Sequence, residues 1–263
     1  MAFVHRALTT SCFGSSQAAL GCGRRLVRCL SSAATELAPV SSSSLGKVYE
    51  LRTYDVKPKR MTEFLEMTAR EIHLRLAVAK CLGYWVCQFG AINQTVHLWE
   101  FDCYAHRAES RVAMMQSSEL VERFLTPVMQ MVNKQHSQML RLLPGTSLNC
   151  PAKPGGAYEL VSLCMKSSPT VWLPKAAEMV PACNSVVHTS GASVVAAFKT
   201  EFGPLNECIF LLHYPSFDMH LQYAEAIMSN DECFKLVSKF ANMVAEGHNK
   251  GMTPFPGLQT AMQ

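Results

Sequence analysis

The sequence predicts an α+β protein built from two tandem ferredoxin-like halves, their antiparallel sheets packed face to face. Three observations predict it. Tyr49-Glu50-Leu51 returns as Tyr158-Glu159-Leu160, and Phe89-Gly90-Ala91-Ile92-Asn93-Gln94 returns as Phe202-Gly203-Pro204-Leu205-Asn206-Glu207. Those echoes lie 109 and 113 positions apart, far beyond the ~20–50 residues of a solenoid repeat, so they mark a duplicated domain. The first copy then reads β-α-β-β-α-β, the split βαβ order. Finally, the central strands carry bulk on both faces: Val96 and Leu98 oppose Trp99 and Phe101, and Ile209 and Leu211 oppose Phe210, Leu212 and Tyr214. Helices cover one face of such a sheet. The other needs a second sheet, because apolar area left in water costs about 25 cal/mol per Å². Burial by dimerisation of whole chains would satisfy the same physics, which keeps a homo-oligomer open.

Residues 1–30 contain Arg6, Arg24, Arg25 and Arg28 without a carboxylate, the composition of a mitochondrial transit peptide. The chain has 24 Lys+Arg against 20 Asp+Glu; without those four arginines its body is neutral and offers no electrostatic footprint for nucleic acid. Hydrophobic residues make up 49% and charged residues 17%, which fits a folded body rather than disorder. No apolar run is long enough for a transmembrane helix. Residues 31–46, rich in Ser, Ala and Pro, read as a flexible lead-in.

The first domain spans 47–144. Val48 to Tyr54 alternates as a strand, Pro58 sits where a helix can begin, and Met61, Phe64, Leu65, Thr68 and Ile72 recur at helical spacing. Gly83 precedes a hairpin of Tyr84 to Phe89 and Gln94 to Phe101. Asp102 is placed to cap a helix near Tyr104. A helix from about Glu119 to Lys134 follows, kinked or entered at Pro127, then a strand near Gln138 to Leu143. Pro and Gly cluster in the linker, 145–156.

The second domain, 157–263, has weaker local signals. Its opening strand and its hairpin, Ser193 to Thr200 and Glu207 to Tyr214, are clear, and helices fit Asp218 to Ser229 and Asp231 to Glu246. Pro174 and Pro181, each costing ~3 kcal/mol inside a helix, are expected to interrupt its first helix. Gly251, Pro254, Pro256 and Gly257 make 248–263 read as irregular, so this copy is expected to lack a regular fourth strand.

The chain has 11 cysteines. The eight beyond the leader form no Cys-x-x-Cys and no paired His/Cys spacing, so no metal site and no disulfide framework is expected, only reduced thiols acting as small hydrophobes.

The segments Tyr49-Glu50-Leu51-Arg52-Thr53-Tyr54, Gly83-Tyr84-Trp85, His97-Leu98-Trp99 and Tyr104-Ala105-His106-Arg107 resemble the NIPSNAP family, nearest its homolog-three branch, over roughly 47–246. The resemblance implies two tandem NIPSNAP domains of the dimeric α/β-barrel type and a mitochondrial association. It also implies a non-catalytic role in mitochondrial quality control, mitophagy or vesicle-linked signalling, through protein partners such as autophagy or vesicle-trafficking adaptors. It supplies no catalytic residues and no cofactor.

The polar residues to watch are Arg52, Tyr54 and His97, with Tyr84 and Trp99 beside them. They define an alternative function: a pocket for a small molecule or haem, even an oxygenase site, with His97 as base or axial ligand. The plain structural alternative is that Arg52 pairs with Glu50 and that His97 is a satisfied core histidine. The second copy has Val161, Leu163 and Phe210 in place of Arg52, Tyr54 and His97, so any site is single. His106 and Arg107 offer a partner surface or a partner for a carboxylate. His73 and Arg75 are read as complementing a helix C-terminus. Met114, Met115, Met129, Met131 and Met139 read either as an adaptable surface or as core filler.

Overall fold

The computed structural model describes residues 46–151, 155–187 and 191–258. The expected leader lies outside them, as does all but the last residue of the lead-in. In the first half, β1 (Val48–Val56) leads through a 3-10 turn at Pro58–Arg60 into α1 (Met61–Leu76). Strands β2 (Lys80–Phe89) and β3 (Gln94–Phe101) form the expected hairpin, and α2 (Tyr104–Gln116) follows. The cap of α2 is Cys103 rather than Asp102: its Sγ accepts from the His106 amide at 3.5 Å.

Next come α3 (Ser118–Leu120), a π-helical turn at Val121–Leu125 and α4 (Thr126–Met131), with helical backbone throughout. Pro127 has no N–H to give its preceding turn, and the wider π turn lies just ahead of it. β4 (Val132–Leu142) starts earlier than the sequence suggested.

The second half repeats the order with β5 (Ala157–Met165), α5 (Pro169–Val187), β6 (Ser193–Phe202), β7 (Glu207–Tyr214), α6 (Met219–Ser229), α7 (Asp231–Ala241) and β8 (Val244–Pro254). Two expectations fail here. α5 runs through Pro174 and Pro181 without a break. Both prolines are exposed, where water can satisfy the carbonyls they leave free, while Trp172, Ala176, Val180 and Cys183 hold the other face in the core.

The segment read as irregular forms β8. It pairs with β5 from Tyr158↔Met252 to Met165↔Val244, and with β2 from Trp85↔Pro254 to Phe89↔Gly251. Its glycines mark close approaches: a Cβ on Gly247 would stand 2.7 Å from Leu163 Cδ2, and one on Gly251 2.9 Å from the Phe89 ring. Neighbouring strands impose extended backbone on a sequence without strand propensity.

The strand order is β1-β3-β2-β8-β5-β7-β6-β4, closed. Each half thus contributes four antiparallel strands, and the halves join edge to edge: β2 pairs with β8, and β4 with β6. This corrects the picture of two separate sheets lying face to face, because closure leaves no open edge. The parity argument survives within it. Val96, Leu98, Ile209 and Leu211 fill the interior with Tyr49, Trp85, Tyr158 and Phe198. Trp99 and Phe101 face the helices of the first half, and Phe210, Leu212 and Tyr214 those of the second. Tyr49 meets Phe198, and Trp85 meets Tyr158, at ring separations of 5.3 Å, so the barrel interior is a packed core.

Candidate ligand-binding site

The open space lies outside the barrel, between the first half's sheet and its helices. Its floor is a row of side chains across four strands. Arg52 of β1 stands opposite His97 of β3, His97 opposite Tyr84 of β2, and Gln135 of β4 opposite Tyr54 of β1. Two residues along their strands from Arg52 and His97, Tyr54 and Trp99 share that face. The helices supply the walls, with Ile72 and Arg75 from α1, Met114 from α2 and Phe124 from the π turn. The cavity, open on one side, has a volume of about 510 Å³. Met115 and Met129, 65% and 63% exposed, stand at its mouth with Arg111.

His97 is the centre of the floor. Its ring stacks on Tyr84 at 4.6 Å and 12°, and meets Tyr54 and Trp99 edge-on. Trp99 Nε1–H donates to His97 Nδ1 at 2.5 Å. An indole nitrogen is only ever a donor, so Nδ1 must be the acceptor and the neutral ring carries its proton on Nε2. Burial, with Arg52 and Arg75 nearby, pushes the imidazolium pKa well below the ordinary 6.5. Nε2 is buried and has no hydrogen-bond partner. His97 is therefore not the fully satisfied core histidine of the plain alternative.

This tautomer decides what His97 can do. Its one lone pair is already engaged by Trp99, so it offers the cavity an N–H donor and neither a base nor a metal ligand. Axial ligation of haem needs an imidazole lone pair turned to the iron, so the residues present do not fit a haem. Burial likewise raises the Tyr54 and Tyr84 hydroxyls, leaving both neutral.

Two guanidinium groups complete the site. Arg52 Nη2 donates to Gln135 at 2.9 Å, and its Nη1 lies 3.5 Å from Glu50, the partner expected for it. Arg75 is 6% exposed, lies over the Trp99 ring at 4.1 Å and has an unpartnered Nη1. Burial and Arg52 lower its pKa to about 10, which leaves it charged at neutral pH. The sequence reading set Arg75 at a helix end, whereas the structure turns it into the cavity. The missed signal was its spacing: Thr68, Ile72 and Arg75 share the helical stripe that begins at Phe64.

Arg107 binds the buried Glu50 through both arms, Nε to Oε2 at 3.0 Å and Nη2 to Oε1 at 2.8 Å. That places it on a carboxylate of its own chain. Ser137 Oγ donates to the same Glu50 at 2.6 Å. His106 stays near the surface, 3.3 Å from Asp102. Of the methionines, Met114, Met115 and Met129 line the cavity, and Met131 and Met139 belong to the core.

The equivalent row in the second half is apolar on β5, β7 and β6, with Asn249 of β8 opposite Val161. Val161 stands opposite Phe210, and Phe210 opposite Ala197. Phe240 of α7 packs on Phe210, the residue at the position of His97, at 5.9 Å. Among the described residues no cluster of His, Cys, Asp and Glu could hold a metal ion. All eight cysteines there are free, and Cys183 and Cys233 lie 3.7 Å apart. No described helix is long and apolar enough to cross a membrane.

A closed ferredoxin-like barrel with helices outside it and a cavity in its first half is the class of protein defined here, and residues 49–146 match the NIPSNAP family. Over these residues the chain is similar to that family, and curated proteins of its homolog-three branch are among the similar ones. Mouse Protein NipSnap homolog 3B is 37% identical over 165 residues, covering 62% of this chain and 65% of that protein. Human Protein NipSnap homolog 3A is 37% identical over 163 residues, covering 61% and 64%. The chain thus spans less than two thirds of either relative. A crystal structure of a candidate monooxygenase from Lactobacillus acidophilus superposes with a TM-score of 0.58 at 12% identity, covering 79% of this chain and 93% of that one. That likeness concerns the fold alone.

Proposed function

We propose that this chain is a non-catalytic binding protein that takes a small amphipathic molecule into the first-half cavity. The observation that carries this is the asymmetry between the halves. The same sheet face carries Phe210 with Phe240 packed on it in one half, and His97 and Trp99 lining a cavity in the other. A cavity with apolar walls and a few convergent polar groups is the usual form of a ligand site, and methionines at the mouth adapt to varied shapes. The neutral fluorescent probe N-phenyl-1-naphthylamine tests this. It should bind with one-to-one stoichiometry, and Leu125→Trp, which fills the cavity, should abolish binding without lowering the unfolding temperature. Absence of binding, or equal binding by Leu125→Trp, overturns the proposal.

We propose a second role in protein contacts, favoured by the two corresponding hairpin tips. Ile92 and Leu205 are 75% and 85% exposed, with Phe89 and Phe202 beside them, and exposed apolar pairs of this kind suit a protein partner. The partners expected from the family resemblance are mitochondrial quality-control or trafficking adaptors, reached after import directed by residues 1–30. Pull-downs from intact and depolarised mitochondria should recover such an adaptor with the native chain and lose it with Ile92→Ser/Leu205→Ser. Equal recovery by both chains argues against this surface.

A further inference from the structure

We infer that the ligand of the first-half cavity is an organic monoanion, a carboxylate on an apolar body, held by Arg75, Arg52 and the Nε2–H of His97; this rests on the ligand-binding reading above. Three hydrogen-bonding positions on cavity-lining residues have no partner: Arg75 Nη1, Arg52 Nε and His97 Nε2. All three are N–H donors. Buried donors are nearly always paired in folded proteins, so three orphans at one cavity indicate an acceptor that arrives from outside.

The charge balance gives that acceptor its sign. Among the described residues no Asp or Glu lines the cavity. Glu50, the nearest carboxylate to Arg52, is bound by both arms of Arg107, so its charge is already matched. Arg52 and Arg75 therefore present two positive charges to a low-dielectric space with one carboxylate shared among three arginines. A neutral ligand would leave that imbalance in place, and a cation would worsen it. A carboxylate offers two oxygens to donors in a fork geometry and removes part of the imbalance.

The remaining surface sets the rest of the molecule. The Trp99 ring is covered on one side by the Arg75 guanidinium, so the carboxylate belongs at the floor. Phe124, Val128, Met114 and Leu125 offer only apolar contact along the walls, which suits an alkyl or aryl tail. Arg111 at the exposed mouth favours the approach of an anion. Medium-chain acids match this pattern and fit within about 510 Å³.

A matched series at one chain length separates the head group from the tail. Decanoate, decanol and decylammonium would each compete against bound N-phenyl-1-naphthylamine at pH 7.5, below their micellar concentrations. Decanoate should displace the probe at concentrations at least tenfold lower than decanol, with decylammonium weaker than both. In Arg75→Gln the ratio of decanoate to decanol potency should fall towards one, and a native-like cooperative unfolding transition shows that the variant is folded. Equal potency of acid and alcohol, or preference for the ammonium, overturns the anion inference and leaves the cavity reading intact. Failure of the probe and all three competitors to bind removes both. The native-protein comparison stands alone should Arg75→Gln fail to fold.

Discussion

At the scale of single residues, the site combines order and strain. His97 is held neutral among two cations, and its proton on Nε2 is fixed by one indole donor. Its pKa is depressed in the folded state, so between that value and about 6.5 the unfolded chain binds more protons. Stability linked to His97 is therefore complete above about pH 6.5 and is lost as pH falls below it, by at most ~1.4 kcal/mol per unit. His97→Gln keeps an acceptor for Trp99 and cannot titrate, so denaturant unfolding at pH 7, 6 and 5 should show a shallower loss than in the native chain. An unchanged slope would mean that His97 is charged in the fold. Glu50 is 1% exposed and accepts from Arg107 and Ser137. Glu50→Gln removes the negative charge and leaves Arg107 half-matched, so a loss of ~3 kcal/mol in unfolding free energy is expected. Arg52, Tyr54 and His97 were legible because the repeat itself supplied a control: Val161, Leu163 and Phe210 show what those positions hold when they only pack. Arg75 was not, because a cation near a helix end has an ordinary explanation that spacing alone does not displace.

At the scale of elements, local signals succeeded wherever the pattern of the element agreed with its neighbours. The hairpins β2–β3 and β6–β7 each turn on an asparagine with positive φ, Asn93 at 57° and Asn206 at 58°, and both were readable from the repeated motif. Helix α5 and strand β8 were misread because tertiary contacts outweighed their proline and glycine content. The prolines of α5 face water, so replacing them restores backbone donors without disturbing the core. Pro174→Ala and Pro181→Ala should each raise the unfolding free energy by ~1–2 kcal/mol, after the greater freedom of the unfolded chain offsets part of the helix gain. Urea unfolding with an unchanged m-value checks this. A lower midpoint would show that the helix depends on its prolines.

At the scale of the whole molecule, strand parity required both faces of each sheet to be buried, and they are. Parity alone does not distinguish two sheets laid on each other from two sheets zipped along their edges, since an inward face is covered either way. The decision lay in β8, the strand the sequence hid, because without it the β2 edge has no partner. Both halves pack helices onto the barrel, and the first also lines a cavity with Arg52, His97 and Trp99. The three tryptophans sample the resulting compartments separately, Trp99 on the cavity floor, Trp85 inside the barrel and Trp172 in the packed half. Indole ¹H–¹⁵N resonances, assigned through single Trp→Phe variants and followed during titration with N-phenyl-1-naphthylamine, therefore test the account most directly. The Trp99 signal should shift strongly while those of Trp85 and Trp172 stay in place. Movement of Trp85 or Trp172 with Trp99 unmoved would contradict it.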